Sequence, residues 1–217
     1  MCFIDRDEAG ELLAQALEGI IDVKKNPIVL AIPRGGIPVA YKIANYFKIP
    51  MAVIVVRKLG LPWNEEAGFG AIDPNGTPYY DSSVLNYLTE EEIKDVIKKE
   101  LKELREREKK FAPRGYPKLE GRQVIIVDDG VATGYTAIAA AGYAKGKGAL
   151  EVIVAVPVCP SDSKRKLENY MDKFICYYSV SSSSFAVGMF YRDFHQLSDE
   201  EAKEYLKRAE EKGILEA

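Results

Sequence analysis

The sequence predicts an α/β fold: an open, mostly parallel sheet flanked by helices, with a small hood or tail from the termini and a flexible loop or hairpin insertion. Three observations carry that prediction. Short runs at residues 27–32, 51–56, 124–127, 152–156 and 174–180 are largely apolar, as strands covered on both faces must be. Segments with helical spacing separate these runs, the alternation that builds a parallel sheet. A chain of 217 residues is long enough to bury one large core.

Ala9, Leu12, Leu13, Ala16, Leu17, Ile20 and Ile21 recur at helical spacing and predict a first amphipathic helix. Residues 27–32 form the first core strand, which ends in Pro33-Arg34-Gly35-Gly36 before a helix over 38–47. Residues 51–56 form the second, with Arg57-Lys58 at its carboxyl end. From Gly60 to Ser83 the pattern breaks down, and Asp73-Pro74-Asn75-Gly76 signals a turn able to close a small hairpin. Thr89 with Glu92 makes a capping box for a long charged helix reaching about Lys110. Its narrow stripe, Ile93, Ile97, Leu101 and Leu104, docks the helix on its own domain, with a homodimer contact or a mobile lid as the alternative role.

Three more strands follow, separated by an Ala-rich helix over 136–144, which Gly146 and Gly148 end, and a short helix from about Ser161. Residues 181–184 are all serine and start a tail, and Ser198 with Glu201 caps a final helix to about Lys212. The chain therefore reads as one domain over 1–217: core at about 25–180, loop and long helix at about 60–112, tail at 181–217.

Composition excludes several chemistries. With 30 Lys+Arg against 33 Asp+Glu, a net charge of -3 argues against a nucleic-acid partner, whose phosphates demand basic residues. Three cysteines, with no Cys-x-x-Cys pair, give neither a disulfide framework nor a zinc site. The single histidine, His195, excludes a multi-histidine metal centre and reads as a surface or capping residue. No apolar run reaches the ~18–20 residues of a membrane span, and the charged N-terminus lacks a secretory core. The expected setting is reduced and cytoplasmic.

The most informative stretch runs from Val124 to Thr136. A buried strand delivers Asp128 and Asp129 to its carboxyl end, where open α/β sheets bind ligands. Gly130, Val131, Ala132, Thr133, Gly134, Tyr135 and Thr136 then supply backbone N–H groups, hydroxyls and a helix N-terminus, which suit a phosphate. The aspartates have the wrong charge to touch that phosphate. They suit ribose hydroxyls, directly or through Mg²⁺, which takes oxygen ligands and keeps several waters. Phosphate and diol recognition side by side point to a 5-phosphorylated ribose.

This stretch resembles the phosphoribosyl pyrophosphate (PRPP) motif of the type I phosphoribosyltransferases: four apolar residues, two acids, and a loop ending Thr-Gly-x-Thr. The resemblance covers roughly residues 25–180 and is specific in three short segments. It implies that Arg34, Gly35 and Gly36 form the pyrophosphate loop, and that Arg57 and Lys58 contact PRPP. It also implies that residues 60–80 serve as a catalytic lid that excludes water from an oxocarbenium-like transition state. Asp128 and Asp129 would engage Mg²⁺ through the ribose or water. The implied partners are PRPP and a small nitrogenous acceptor.

Enzymes of this family that use 6-oxopurines place an acid where this chain has Ala132, so the resemblance turns toward the adenine-type enzymes. In those a loop glutamate assists proton transfer, and Glu65 or Glu66 is the candidate here. Phe185, Met189, Phe190, Tyr191 and Phe194 are candidates for a nucleobase hood, with Phe185, Tyr191 and Phe194 as the stacking residues; packing of the tail on the domain is the alternative. The arrangement most resembles predicted phosphoribosyltransferases of bacteria and archaea whose acceptor is not established. A regulator that kept the fold to sense PRPP or a nucleotide is the competing functional class.

Overall fold

Successive side chains of a strand point to opposite faces, and here helices cover both. The computed structural model describes residues 2–181 and 184–216, the Glu66 side chain excepted. Five strands, β1 (Ile28–Ala31), β2 (Met51–Val53), β6 (Gln123–Val127), β7 (Glu151–Pro160) and β8 (Lys173–Val180), form an all-parallel sheet in the order β2-β1-β6-β7-β8. Leu30 of β1 lies opposite Ala52 on one side and Ile126 on the other.

Val29, Ala31, Met51, Val53, Ile125 and Val127 pack toward α1 (Arg6–Ala16), α2 (Gly36–Phe47), α3 (Glu90–Phe111) and α6 (Asp199–Glu211). Ile28, Leu30, Ala52, Val124, Ile126 and Val152 pack toward α4 (Tyr135–Gly146) and α5 (Ser163–Leu167). Each fully buried Ile or Leu in these layers contributes about 1.5–3 kcal/mol relative to exposure. Because the polypeptide leaves β1 toward β2 and re-enters the sheet at β6 on β1's other side, the connections after β1 and β6 diverge. That divergence opens the crevice in which doubly wound sheets take ligands.

Between residues 57 and 80 the hairpin alternative of the sequence reading is realised and extended by a third strand. β3 (Arg57–Leu61), β4 (Asn64–Ile72) and β5 (Pro78–Tyr80) form a separate antiparallel sheet between α3 and α4, not an irregular loop. The Asp73 turn closes β4 onto β5 as expected: Asp73 Oδ1 accepts from the backbone N–H of Asn75 (2.8 Å) and Thr77 (2.9 Å). Arg57 and Lys58 do not end the second core strand. β2 stops at Val53, Ile54 still donates to the Ala31 carbonyl at 2.9 Å, and Arg57 then opens β3 opposite Ile72.

Both capping boxes, Thr89 with Glu92 and Ser198 with Glu201, are formed. Ile93 and Leu104 of the α3 stripe are buried against their own domain. The hood begins where the N-terminal residues meet the segment after β8: Phe3 bridges to Tyr191, with Phe3 N–H donating to the Phe190 carbonyl at 2.7 Å, whereas the C-terminal residues join β2 instead, Leu215 bridging to Met51. Among the described residues no helix is long and apolar enough to cross a membrane.

Candidate active site at the carboxyl ends of β1 and β6

The loops after β1 and β6 touch through two glycines. A Cβ built on Gly35 would stand 2.0 Å from Asp129 Oδ2, and one on Gly36 would stand 2.4 Å from the Val127 carbonyl oxygen. Only residues without a side chain allow the Arg34-Gly35-Gly36 loop to lie this close to the acid pair. The Pro33–Arg34 peptide is cis. Thus Arg34, Gly35, Gly36, Asp128 and Asp129, far apart in sequence, share one crevice.

Asp128 accepts from the Asp129 backbone N–H at 2.8 Å. Burial, and then the adjacent Asp129 charge, push the Asp128 carboxyl well above the ordinary carboxylate range. Burial also raises Asp129, but the Arg6 guanidinium opposes it, with Nε 2.8 Å from Asp129 Oδ2. Arg6 is 9% exposed at its side chain, lies 4.2 Å over the Phe194 ring and donates to the His195 carbonyl at 3.1 Å. It fastens the acid pair to the N-terminal helix and to the segment after β8. Tyr191, buried against Phe3, donates its hydroxyl to the Asp129 carbonyl at 2.6 Å.

After the acids, Gly130 to Gly134 turn the chain into α4. Gly134 caps that helix with a φ of 86°, so the residues before it face the helix N-terminus. Ala132 and Thr133 are exposed there, while Val131 is buried and Tyr135 and Thr136 are half-buried. Lys166 of α5 donates to the Thr133 carbonyl at 3.0 Å and lies 4.4 Å over the Tyr135 ring. With Arg165 and Asn169 these residues line a cleft of about 480 Å³.

Two of the predicted cations are fixed by long-range pairing. Arg34 bridges to Asp199 at 3.1 Å, at the start of α6, and Arg57 bridges to Glu100 of α3 at 2.7 Å. Arg57, Lys58 and Glu65 line a second cleft, about 530 Å³, between the β3–β4 arm and α3. Glu65 is exposed and pairs with Lys99, which holds its carboxyl below the usual range and therefore ionised at neutral pH. The side chain of Glu66 lies outside the described residues. Of the hood residues, Phe185 stacks on Phe190 at 5.3 Å, Tyr191 is buried, and Phe194 lies 5.0 Å from Tyr191 with Arg6 over its ring. His195 is exposed between Asp193 and Glu201, both at 2.8 Å, and these carboxylates raise its pKa.

A family model described as phosphoribosyl transferase domain matches residues 5–193. The chain belongs to this family. Two Mycobacterium tuberculosis proteins, from two strains, carry the provisional name phosphoribosyl transferase and are 41% identical over 211 residues, 95% of this chain. The chain spans about half, 47%, of the length of these curated relatives. The crystal structure of TT1426 from Thermus thermophilus superposes with a TM-score of 0.78 at 34% identity, covering 96% of this chain and 99% of that one. A hypothetical protein from Neisseria gonorrhoeae, solved with bound ppGpp, shares the fold at a TM-score of 0.51 and 14% identity over 96% of each chain. The phosphoribosyl transferase domain thus has the predicted α/β class, with helices on both faces of a parallel sheet.

Sequence reasoning missed Arg6 and Asp199. Arg6 meets Asp129 across 123 residues and Asp199 meets Arg34 across 165, so no local pattern announces either pair. Asp199 carried one faint signal, its place in the first turn of a helix with a recognisable cap.

Proposed function

We propose that this domain transfers the 5-phosphoribosyl group of PRPP to a nitrogen nucleophile and releases pyrophosphate. The observation that carries the reading is the contact between the Arg34-Gly35-Gly36 loop and the Asp128-Asp129 pair, directly before a Gly/Thr loop that opens α4. Backbone N–H groups of residues 130–136 bind the 5-phosphate at the positive end of α4. The acid pair holds the ribose hydroxyls, and Arg6 orients Asp129 through its Oδ2 oxygen. Arg34, Arg57 and Lys58 carry the charge of the departing pyrophosphate. The reaction needs little covalent help from the protein; orientation and charge stabilisation suffice.

Among the described residues no three acids, histidines or cysteines gather into a metal cage. This donor set suits Mg²⁺, which binds through one or two carboxylates and completes its shell with water and substrate oxygens. Asp128 and Asp129 would hold it through the ribose or water, where it would neutralise charge on the leaving group. Glu65, kept ionised by Lys99, is available to accept a proton from the nucleophile.

The test is turnover across a panel of nucleobases, other small amines and ammonia with PRPP and Mg²⁺. Product masses should show a phosphoribosyl adduct on at least one acceptor. Tight PRPP binding with no adduct from any acceptor would instead favour a sensor of PRPP or nucleotides, and acceptor-independent loss of pyrophosphate would favour a hydrolase.

A further inference from the structure

Arg107 lies on the face of α3 that carries Glu100 about two turns earlier and Lys110 about one turn later. Both flanking residues hold the site. Glu100 grips Arg57 at 2.7 Å, and Lys110 shares Asp199 with Arg34, at 2.6 and 3.1 Å. Arg107 is half-buried between these anchors, yet it makes no hydrogen bond or ion pair among the described residues. Burial lowers its basicity first, and the charges of Arg57 and Arg34 lower it further, against a partial offset from Asp199 and Glu103. Arg57 and Arg34 are thus tied, through Glu100 and through the Asp199–Lys110 pair, to the helix face on either side of Arg107, and Arg34 opens the loop that itself touches Asp129.

We propose that Arg107 completes, with Arg34 and Arg57, a three-arginine site for the diphosphate group of the substrate and of the released pyrophosphate. This inference rests on the phosphoribosyl transfer reading above. Guanidinium groups bind phosphate oxygens through a planar fork, and a diphosphate offers enough oxygens to engage several at once. A cation held close to two others without a carboxylate of its own is organised for an incoming polyanion. The alternative role, an arginine stem covering apolar surface, makes the opposite prediction for stability.

The experiment is calorimetric titration of wild type, Arg107→Met and Arg107→Lys with three ligands in Mg²⁺ buffer: PRPP, inorganic pyrophosphate and ribose 5-phosphate, with thermal melting alongside. Arg107→Met should bind PRPP and pyrophosphate about tenfold or more weakly, the loss of one charge-assisted contact, while ribose 5-phosphate changes less than about twofold. Arg107→Lys should fall between, and Arg107→Met should melt no lower than wild type. Unchanged PRPP and pyrophosphate affinity, or an equal loss for all three ligands with a lower melting temperature, would overturn the proposal. The transfer reading fails separately: if wild type binds pyrophosphate through Arg107 but not PRPP, the anion site stands and the phosphoribosyl substrate does not. If wild type binds neither, both fall.

Discussion

Replacing Arg6 with Met tests how the acid pair is held. The methionine keeps an apolar stem against Phe194 but removes the guanidinium 2.8 Å from Asp129, whose own side chain is only 14% exposed. Removing one partner of a buried ion pair costs about 3–5 kcal/mol because the other charge is left uncompensated. Burial already favours protonation of Asp129, which offers an escape, so the expected loss is at the lower end, about 3 kcal/mol at pH 8. For a chain of this length that corresponds to about 6–12 °C in melting temperature.

The pH dependence has a definite sign. Without Arg6 the folded Asp129 pKa rises further above its unfolded value, so the folded state binds the extra proton and stability falls as pH rises. The deficit of Arg6→Met should therefore shrink from pH 8 toward pH 5. Guanidinium denaturation of wild type, Arg6→Met, Asp129→Asn and the double variant at both pH values measures the deficit and the coupling. A loss under about 0.5 kcal/mol that is the same at pH 5 and pH 8, with additive single variants, would refute the reasoning.

Gly35→Ala should weaken PRPP binding and destabilise the fold by about 1–3 kcal/mol, the usual range for overpacking, because its methyl would fall 2.0 Å from Asp129 Oδ2; calorimetry and denaturation read both, and a neutral variant would show that the loops are not in contact. Glu151 offers a pH prediction away from the crevice. Burial would raise its carboxyl, but Lys173, Lys25 and Gln123 outweigh that and bring it down to about 2. Its stabilisation is present above the unfolded glutamate pKa and fades as pH falls toward 2. Glu151→Gln should thus lower stability at pH 7 and flatten the acid limb of the stability curve, whereas an unchanged acid limb would show that these pairs carry no linkage.

What the sequence disclosed follows from the range of the forces involved. The strand, acid pair, Gly/Thr loop and helix start of Val124 to Thr136 were legible because they are contiguous. The caps at Thr89 and Ser198, and the Asp73 turn, were legible because their hydrogen bonds span only a few residues. The β3–β4–β5 sheet was not. β4 carries Gly68 and Gly70 in its interior, which weakens strand propensity, and the need for Gly70 arises from a partner strand: its Cβ would stand 2.5 Å from the Tyr79 carbonyl oxygen. Packing between α3 and α4 decides that segment, and packing is not periodic. Arg6 and Asp199 escaped because their partners lie far away in sequence. Their roles are set by charges brought together only when the sheet is folded, as the Arg34–Asp199 pair illustrates.

Binding of PRPP through the acid pair, in the crevice between β1 and β6, is tested by Asp128→Asn with the least structural disturbance. Asparagine can still accept from the Asp129 backbone N–H, and it removes a charge that burial and Asp129 both disfavour. This variant should melt at or above the wild-type temperature at pH 7 and yet bind PRPP with Mg²⁺ at least about tenfold more weakly, one charge-assisted contact being worth that much. Wild-type affinity for PRPP in a fully folded Asp128→Asn protein would contradict the account.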